Sequence, residues 1–284
     1  MIYISTSCVK SSRIDESVTK LVDSGFTNIE LSGGTENYIG FENDLIKLKK
    51  EHNINYLLHN YFPPPNQHFV LNLASLNDKI YNESLDHYKR AIELSETLGA
   101  DRYGLHAGFL IDPNINELGK SINKQKPFNR EKSINRFCNA YNELQTQSKD
   151  VAVYIENNVF SHQNQLNFGF NPFLLTNKEG YFELSKYTTF SLLLDVAHLK
   201  VSCKTLGLNF NDELKELYSL SNYIHLSDND GFSDSNKTIL KSSEIELFLK
   251  AQDNSNKNIT LEIYDDLEIV KTAYNQLKKS LYFK

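Results

Sequence analysis

Eight short runs rich in β-branched and aromatic residues recur from one end of this 284-residue chain to the other, each followed by room for a helix. They read IYISTSC from Ile2, NIELSGG from Asn28, YLLHNYF from Tyr56, RYGLHAG from Arg102, VAVYIENN from Val151, SLLLDVAH from Ser191, YIHLSDND from Tyr223 and ITLEIYD from Ile259. Between them apolar residues return at helical spacing, as in Leu85, Tyr88, Ile92, Leu94 and Leu98 before the stop at Gly99. Val18, Leu21 and Val22 before Gly25, then Leu214, Leu217 and Leu220, and finally Ile269, Ala273 and Leu277 repeat the pattern. Strands and helices in alternation form a parallel sheet with right-handed crossovers. Runs such as SLLLDVA, apolar almost throughout, belong to strands covered on both faces. Eight such units favour closure, so the expected fold is α/β, a (β/α)8 TIM barrel forming a single domain over residues 1–284. That architecture commonly needs roughly 250 residues.

Composition removes several function classes. Hydrophobic residues make up 40% of the chain and charged ones 23%, enough to build a large core without staples. The three cysteines, Cys8, Cys138 and Cys203, are widely spaced and form no CxxC pair, which argues against a disulfide framework or a thiolate zinc site. No stretch approaches about 18 uninterrupted apolar residues, and no basic segment precedes the few apolar residues of the N-terminus. A cytoplasmic location with no membrane contact is therefore expected. The net charge of −6 supplies no global field for a polyanion, so nucleic acid is a disfavoured partner, while a homo-oligomer stays open. GxGxxG, Walker-type and GxSxG patterns are all missing from the sequence, which leaves nucleotide-cofactor and serine-hydrolase chemistry without support.

In a barrel of this kind the chemistry collects where the strands end and the βα loops converge. Those positions carry His59, His106, Glu156, Asp195, His198, His225, Asp228, Asp230 and Glu262. Four of the eight histidines fall in these short windows, well above their share of the chain; His52, His68, His87 and His162 fall on presumed helices or loops and read as ordinary polar residues. Any one strand-end Asp or His can simply cap a helix or anchor a loop. A set converging from the last four strands must instead pair with cations or suffer desolvation and mutual repulsion. A divalent metal ion held by Glu156, Asp195, His225 and Glu262 resolves that conflict. Mixed oxygen and nitrogen donors suit Mn, Zn, Co, Fe or Mg without choosing among them. Two connections, Phe109 to Asn129 and Phe160 to about Lys178, are long enough to act as lids or substrate walls over the same mouth. Tyr61, Phe62, Phe109, Phe160, Phe168 and Phe170 lie at strand ends or in these connections; such rings can cover the apolar face of a sugar or close a lid, but most are read as packing and none is given a catalytic role.

With LHNYF at His59, NLAS from Asn72, LGADRYGLHAG through His106, IENN at Glu156, LDVAH joining Asp195 to His198, HLSDNDG from His225 and LEIY at Glu262, the chain resembles the superfamily that joins xylose isomerase-like sugar isomerases and epimerases to endonuclease IV. The resemblance implies one metal on Glu156, Asp195, His225 and Glu262, with the two glutamates also moving protons. In the nuclease branch it implies further zinc ions on positions matching His59, His106 and His198, and an Asp-x-His pair that here reads Asp234-Ser235-Asn236. Asparagine is a poor substitute for a zinc-binding imidazole. The segment KTILKSSEI also lacks the glycine-rich continuation common in both branches, and Gly231 lies in the region where many epimerase-like members place an arginine.

The expected function is a metal-dependent isomerase or epimerase of a sugar or sugar phosphate, acting by proton transfer through an enediolate. Glu156 and Glu262 would serve as base and acid, and Asp195 and His225 chiefly as metal ligands. His59, His106 and His198 would line the site of a small carbohydrate substrate. The alternatives are an endonuclease IV-like phosphodiesterase on abasic DNA, a sugar or polyol dehydratase, and a barrel that binds sugar without turnover.

Overall fold

A computed structural model describes residues 1–117 and 121–282. Each of the eight runs becomes a strand: β1 (Ile2–Ser5), β2 (Asn28–Leu31), β3 (Asn55–His59), β4 (Arg102–His106), β5 (Ala152–Glu156), β6 (Ser191–Asp195), β7 (Ser221–Leu226) and β8 (Asn258–Leu261). Consecutive strands pair in parallel and β8 returns to β1, closing the barrel. The helices are α1 (Ile14–Asp23), α2 (Phe41–His52), α3 (Asp78–Thr97), α4 (Arg130–Gln147), α5 (His162–Phe168), α6 (Lys178–Leu184), α7 (Val196–Leu206), α8 (Phe210–Leu220), α9 (Glu244–Ala251) and α10 (Leu267–Tyr282). Among the described residues no helix is long and apolar enough to cross a membrane.

Because side chains alternate along a strand, one set faces the helices and the other fills the barrel. Ile4, Ile29, Leu58, Ile155, Leu194, Ile224 and Leu261 belong to the main core shared with the helices. Tyr3, Leu57, Tyr154, Leu193 and Tyr223 form a separate cluster that fills the interior. Toward the carboxyl ends that interior turns polar, through Ser5, Glu30, His59, Glu156, Asp195, His225 and Thr260, all buried. Gly104, on β4, supplies the space this polar layer needs: a β-carbon there would stand 2.9 Å from His59 Cδ2.

Two helical stripes differ from the expected ones. In α10 the inward residues are Val270, Ala273, Leu277 and Leu281, whereas Ile269 is exposed; in α8 Leu214 and Leu217 are buried but Leu220 is exposed. A single-residue shift at a helix end moves a side chain by about 100° around the axis, which is enough to exchange the two faces.

Both long connections stand over the mouth as expected, although residues 118–120 of the first lie outside the described residues. They are bound to each other: Phe109 and Phe173 form an antiparallel bridge, Leu110 N donates to Pro172 O at 2.7 Å, and Leu174 N donates to Gly108 O at 3.0 Å. Ile111, Ile122, Phe160, Phe168 and Phe173 pack into a cluster of their own beneath them. Buried amides fix both walls to the barrel. Asn72 Nδ2 donates to Ile111 O at 2.9 Å, and Asn158 Nδ2 donates to Ala107 O at 2.8 Å and Leu174 O at 2.9 Å.

Candidate functional site

Glu156, at the end of β5, is the hub of the mouth. Its Oε2 lies 2.6 Å from His59 Nε2 and 2.7 Å from His106 Nε2, while its Oε1 lies 3.4 Å from His225 Nδ1 and 3.8 Å from His198 Nδ1. Burial alone would raise this carboxyl's pKa, but the neighbouring imidazoles of His106 and His59 hold it well below the usual range. Glu262, one residue beyond β8, brings Oε2 to 3.2 Å from the same His225 Nδ1 and accepts a hydrogen bond from Ser7 Oγ at 3.0 Å. The two glutamates expected to share an ion therefore approach one common imidazole nitrogen. His225 is completely buried, and among the described residues neither of its ring nitrogens makes a well-directed hydrogen bond.

Beneath His225 lies a carboxylate that sequence reasoning missed. Glu30, on β2, is fully buried, with Oε1 2.8 Å from His225 Nε2 and Oε2 accepting from Thr260 Oγ1 at 2.6 Å and from the Tyr223 hydroxyl. Burial would raise its pKa, yet the charges of His225 and His59 bring it below the ordinary value. The one available signal was a single acid between the apolar residues Ile29 and Leu31 of the run NIEL.

Asp195 ends β6 and caps α7, its Oδ1 accepting from His198 N at 2.7 Å. The capping role does not exhaust it. Burial, together with the nearby charges of Glu156 and Asp234, raises its pKa to about 7 against the opposing pull of His198 and His225. His198 sits in the first turn of α7, not on the strand, and its Nδ1 lies 2.9 Å from Asn157 O. Its Nε2 faces Asp234 Oδ2 at 3.2 Å. Burial would lower the pKa of His198, but the carboxylates of Asp195 and Asp234 raise it well above the usual imidazole range, and Glu30, Glu156 and Glu262 do the same for buried His225. Asn236, at the position of the second member of the Asp-x-His pair, is buried with its Oδ1 unpartnered and its backbone left-handed at φ 46°.

These donors fit a divalent ion. Asp195, His225 and Glu262 offer ligand atoms within 4.8 Å of one another, as do Glu156, Asp195 and His198, and His59, His106 and Glu156. The protons that raised imidazole pKa values keep in the mouth are the positive charge a dication would replace. Glu30 against His225 Nε2 is the kind of partner that orients a metal-binding imidazole through its other nitrogen.

Outside this cluster the mouth opens into two hollows. One, of about 400 Å³, runs under the long connections and is bordered by Asn60, Val70, Leu71, His106, Phe109, Ile122, Asn158, Phe173, His198 and Asp234. The other, wider and on the Glu262 side, is bordered by Ser7, Lys10, Thr35, Tyr264 and Asp265. Of the three histidines expected to line a substrate, His106 and His198 border the first hollow. His59 borders neither and stays buried against Glu156. Of the aromatics, Tyr61 and Phe109 reach the hollow, whereas Phe62, Phe160 and Phe168 are buried in packing and Phe170 is exposed.

A family model described as xylose isomerase-like TIM barrel matches residues 18–260. The chain belongs to that family. Among curated proteins none matches in sequence. Solved structures with a similar fold include a D-tagatose 3-epimerase-like protein, with a TM-score of 0.73 at 16% identity, covering 98% of this chain and 96% of the other. An L-ribulose 3-epimerase superposes with a TM-score of 0.64 at 13% identity, over 96% and 86% of the two chains. Endonuclease IV from Thermus thermophilus does so with a TM-score of 0.60 at 13% identity, over 98% and 99%.

Proposed function

We propose that this chain is a divalent-metal-dependent isomerase or epimerase of a sugar or sugar derivative, working as a single cytoplasmic domain. One observation carries the reading: Glu156 and Glu262, from opposite ends of the late-strand series, meet at His225 Nδ1. A divalent ion bound there would act as a Lewis acid on a substrate carbonyl. Glu262 is the more open carboxylate and is held by Ser7 Oγ, so it suits removal of a proton from the carbon next to that carbonyl. Glu156, expected as the partner of Glu262 in proton transfer, is shut in and kept ionised, so the return of a proton would pass between it and His106, which touches both Glu156 and the hollow. Asp195 would join His225 and Glu262 in holding the ion, with His198 and Asp234 paired beside it at the rim. The named epimerases with the same barrel support a carbohydrate as substrate, and three buried unpaired thiols support a reducing compartment.

The test is proton exchange. Manganese-loaded protein incubated with a panel of ketopentoses and ketohexoses in deuterated water should place deuterium next to the carbonyl of at least one, read by NMR. Glu262→Gln should lower that rate by about 10²-fold or more. A fully loaded protein that exchanges none of the panel overturns the reading.

A second reading, cleavage of abasic DNA, is favoured by the closeness of His59 and His106 to Glu156. Asn236 and the negative net charge weigh against it. Zinc-dependent nicking of an abasic duplex that is lost in Glu262→Gln would reverse the order.

A further inference from the structure

The hollow under the long connections is larger and less polar than proton transfer on a small sugar requires. Val70, Leu71, Ile122 and Phe173 are buried in its wall, with Phe109 and Val159 beside them. Its volume of about 400 Å³ falls within the roughly 300–1,000 Å³ of sites that hold whole organic ligands. No lysine or arginine borders it among the described residues, and its one carboxylate, Asp234, is already paired with His198. A phosphate or carboxylate placed against the apolar wall would lose its hydration without a lysine or arginine to meet it among the described residues. His106 and His198 mark the end nearest Glu156, where a sugar's hydroxyls would be met, while Ser121, Ser161 and Gln163 also border the hollow beside its apolar wall. The walls are held by backbone hydrogen bonds and buried amides, which makes the shape preformed.

We propose that this hollow is a subsite for an uncharged apolar substituent, an aromatic or alkyl group joined to the sugar, so that the substrates of this chain are substituted sugars that keep a carbonyl in the ring, such as keto-glycosides of apolar alcohols, for which plain glycosides serve as non-reacting binding probes. This rests on the carbohydrate reading of the mouth given above. The sugar ring lies at His106 and His198, and its substituent runs outward between Leu71 and Phe173.

Calorimetric titration of the full chain with methyl, phenyl and 4-carboxyphenyl β-D-glucopyranoside tests it without requiring turnover. The phenyl glucoside should bind at least tenfold tighter than the methyl one, and the 4-carboxyphenyl glucoside should lose that advantage. Leu71→Phe and Val159→Phe, each filling the hollow, should bring the phenyl-to-methyl ratio close to one. The wild-type comparison decides on its own if a variant does not fold. Equal affinity for phenyl and methyl glucosides, a preference for the charged ring, or no binding of any of the three overturns the proposal. Loss of ketose exchange with the phenyl preference retained would sink the proton-transfer reading alone. Exchange with phenyl and methyl bound alike would sink the subsite alone.

Discussion

Replacing Glu30 by glutamine tests how far the buried layer beneath the mouth controls what binds above it. Glu30 Oε1 stands 2.8 Å from His225 Nε2, and its other oxygen is anchored by Thr260 and Tyr223 from the neighbouring interior. With a metal ion bound at Nδ1, that carboxylate would hold the one remaining ring proton of His225 on Nε2, leaving Nδ1 to the ion between Glu156 and Glu262. Glutamine keeps the volume but removes the charge, and its amide can present either a donor or an acceptor to the ring. Loss of such a partner typically costs 10–100-fold in metal affinity, or about 1.4–2.8 kcal/mol. Titration of Mn(II) into metal-free wild-type and Glu30→Gln protein at pH 7 measures this directly. Tyr223→Phe, which removes one hydrogen bond to the far oxygen of Glu30, should cost about 1 kcal/mol of folding stability and shift the metal affinity much less. A folded Glu30→Gln protein with wild-type affinity for Mn(II) would refute the orienting role.

Three further outcomes follow from the same structure. His87 is buried against Tyr88 and Asn60 O, and burial brings its pKa down to about 4, against about 6.5 in an unfolded chain. The unfolded chain takes up a proton below pH 6.5 that the folded chain refuses. Stability is therefore full above that pH and falls by up to about 3 kcal/mol as pH drops to 4; urea denaturation across that window should show the slope, flattened in His87→Asn. Gly104→Ala puts a β-carbon 2.9 Å from His59 Cδ2 and 3.4 Å from Leu193 Cδ1, inside a ring already fixed on Glu156, so about 1–3 kcal/mol of stability should be lost in thermal unfolding. Saturating Mn(II), at about 100 times its dissociation constant, should stabilise the folded chain by about 2.7 kcal/mol, with EDTA reversing the shift; an unchanged melting curve would remove the metal from the scheme.

All eight strands could be read in the sequence because a parallel barrel buries both faces of each strand, so every one is an apolar run whatever its neighbours. That Asp195, His225 and Glu262 lie within reach of one another, with Glu156 beside His225, was readable for a related reason: closure puts every strand end around one rim, so residues at strand ends become neighbours. Glu30 was not, because its partners His225 and Thr260 come from strands seven and eight, about 200 residues away, and no local pattern announces a carboxylate facing the axis. His87 read as an ordinary helical residue, yet α3 turns it inward onto the β3 end. The faces of α8 and α10 were misjudged by one position at Leu220 and Ile269, since periodicity gives spacing more firmly than phase. The short α5 inside the fifth connection has only seven residues, too few for a periodic signal, although Ser161 caps it in the ordinary way.

The hydrogen bonds that join the β4 and β5 connections bear on how this barrel is reached from outside. Two long excursions stitched together at Phe109 and Phe173 behave as one canopy, so neither can swing aside without breaking main-chain bonds in the other. A guest arriving from bulk water meets a roof on that side and an unroofed porch on the other, between Ser7, Thr35 and Tyr264. A molecule that comes in across the porch reaches the neighbourhood of Glu262, through Ser7, with every main-chain bond of the canopy intact.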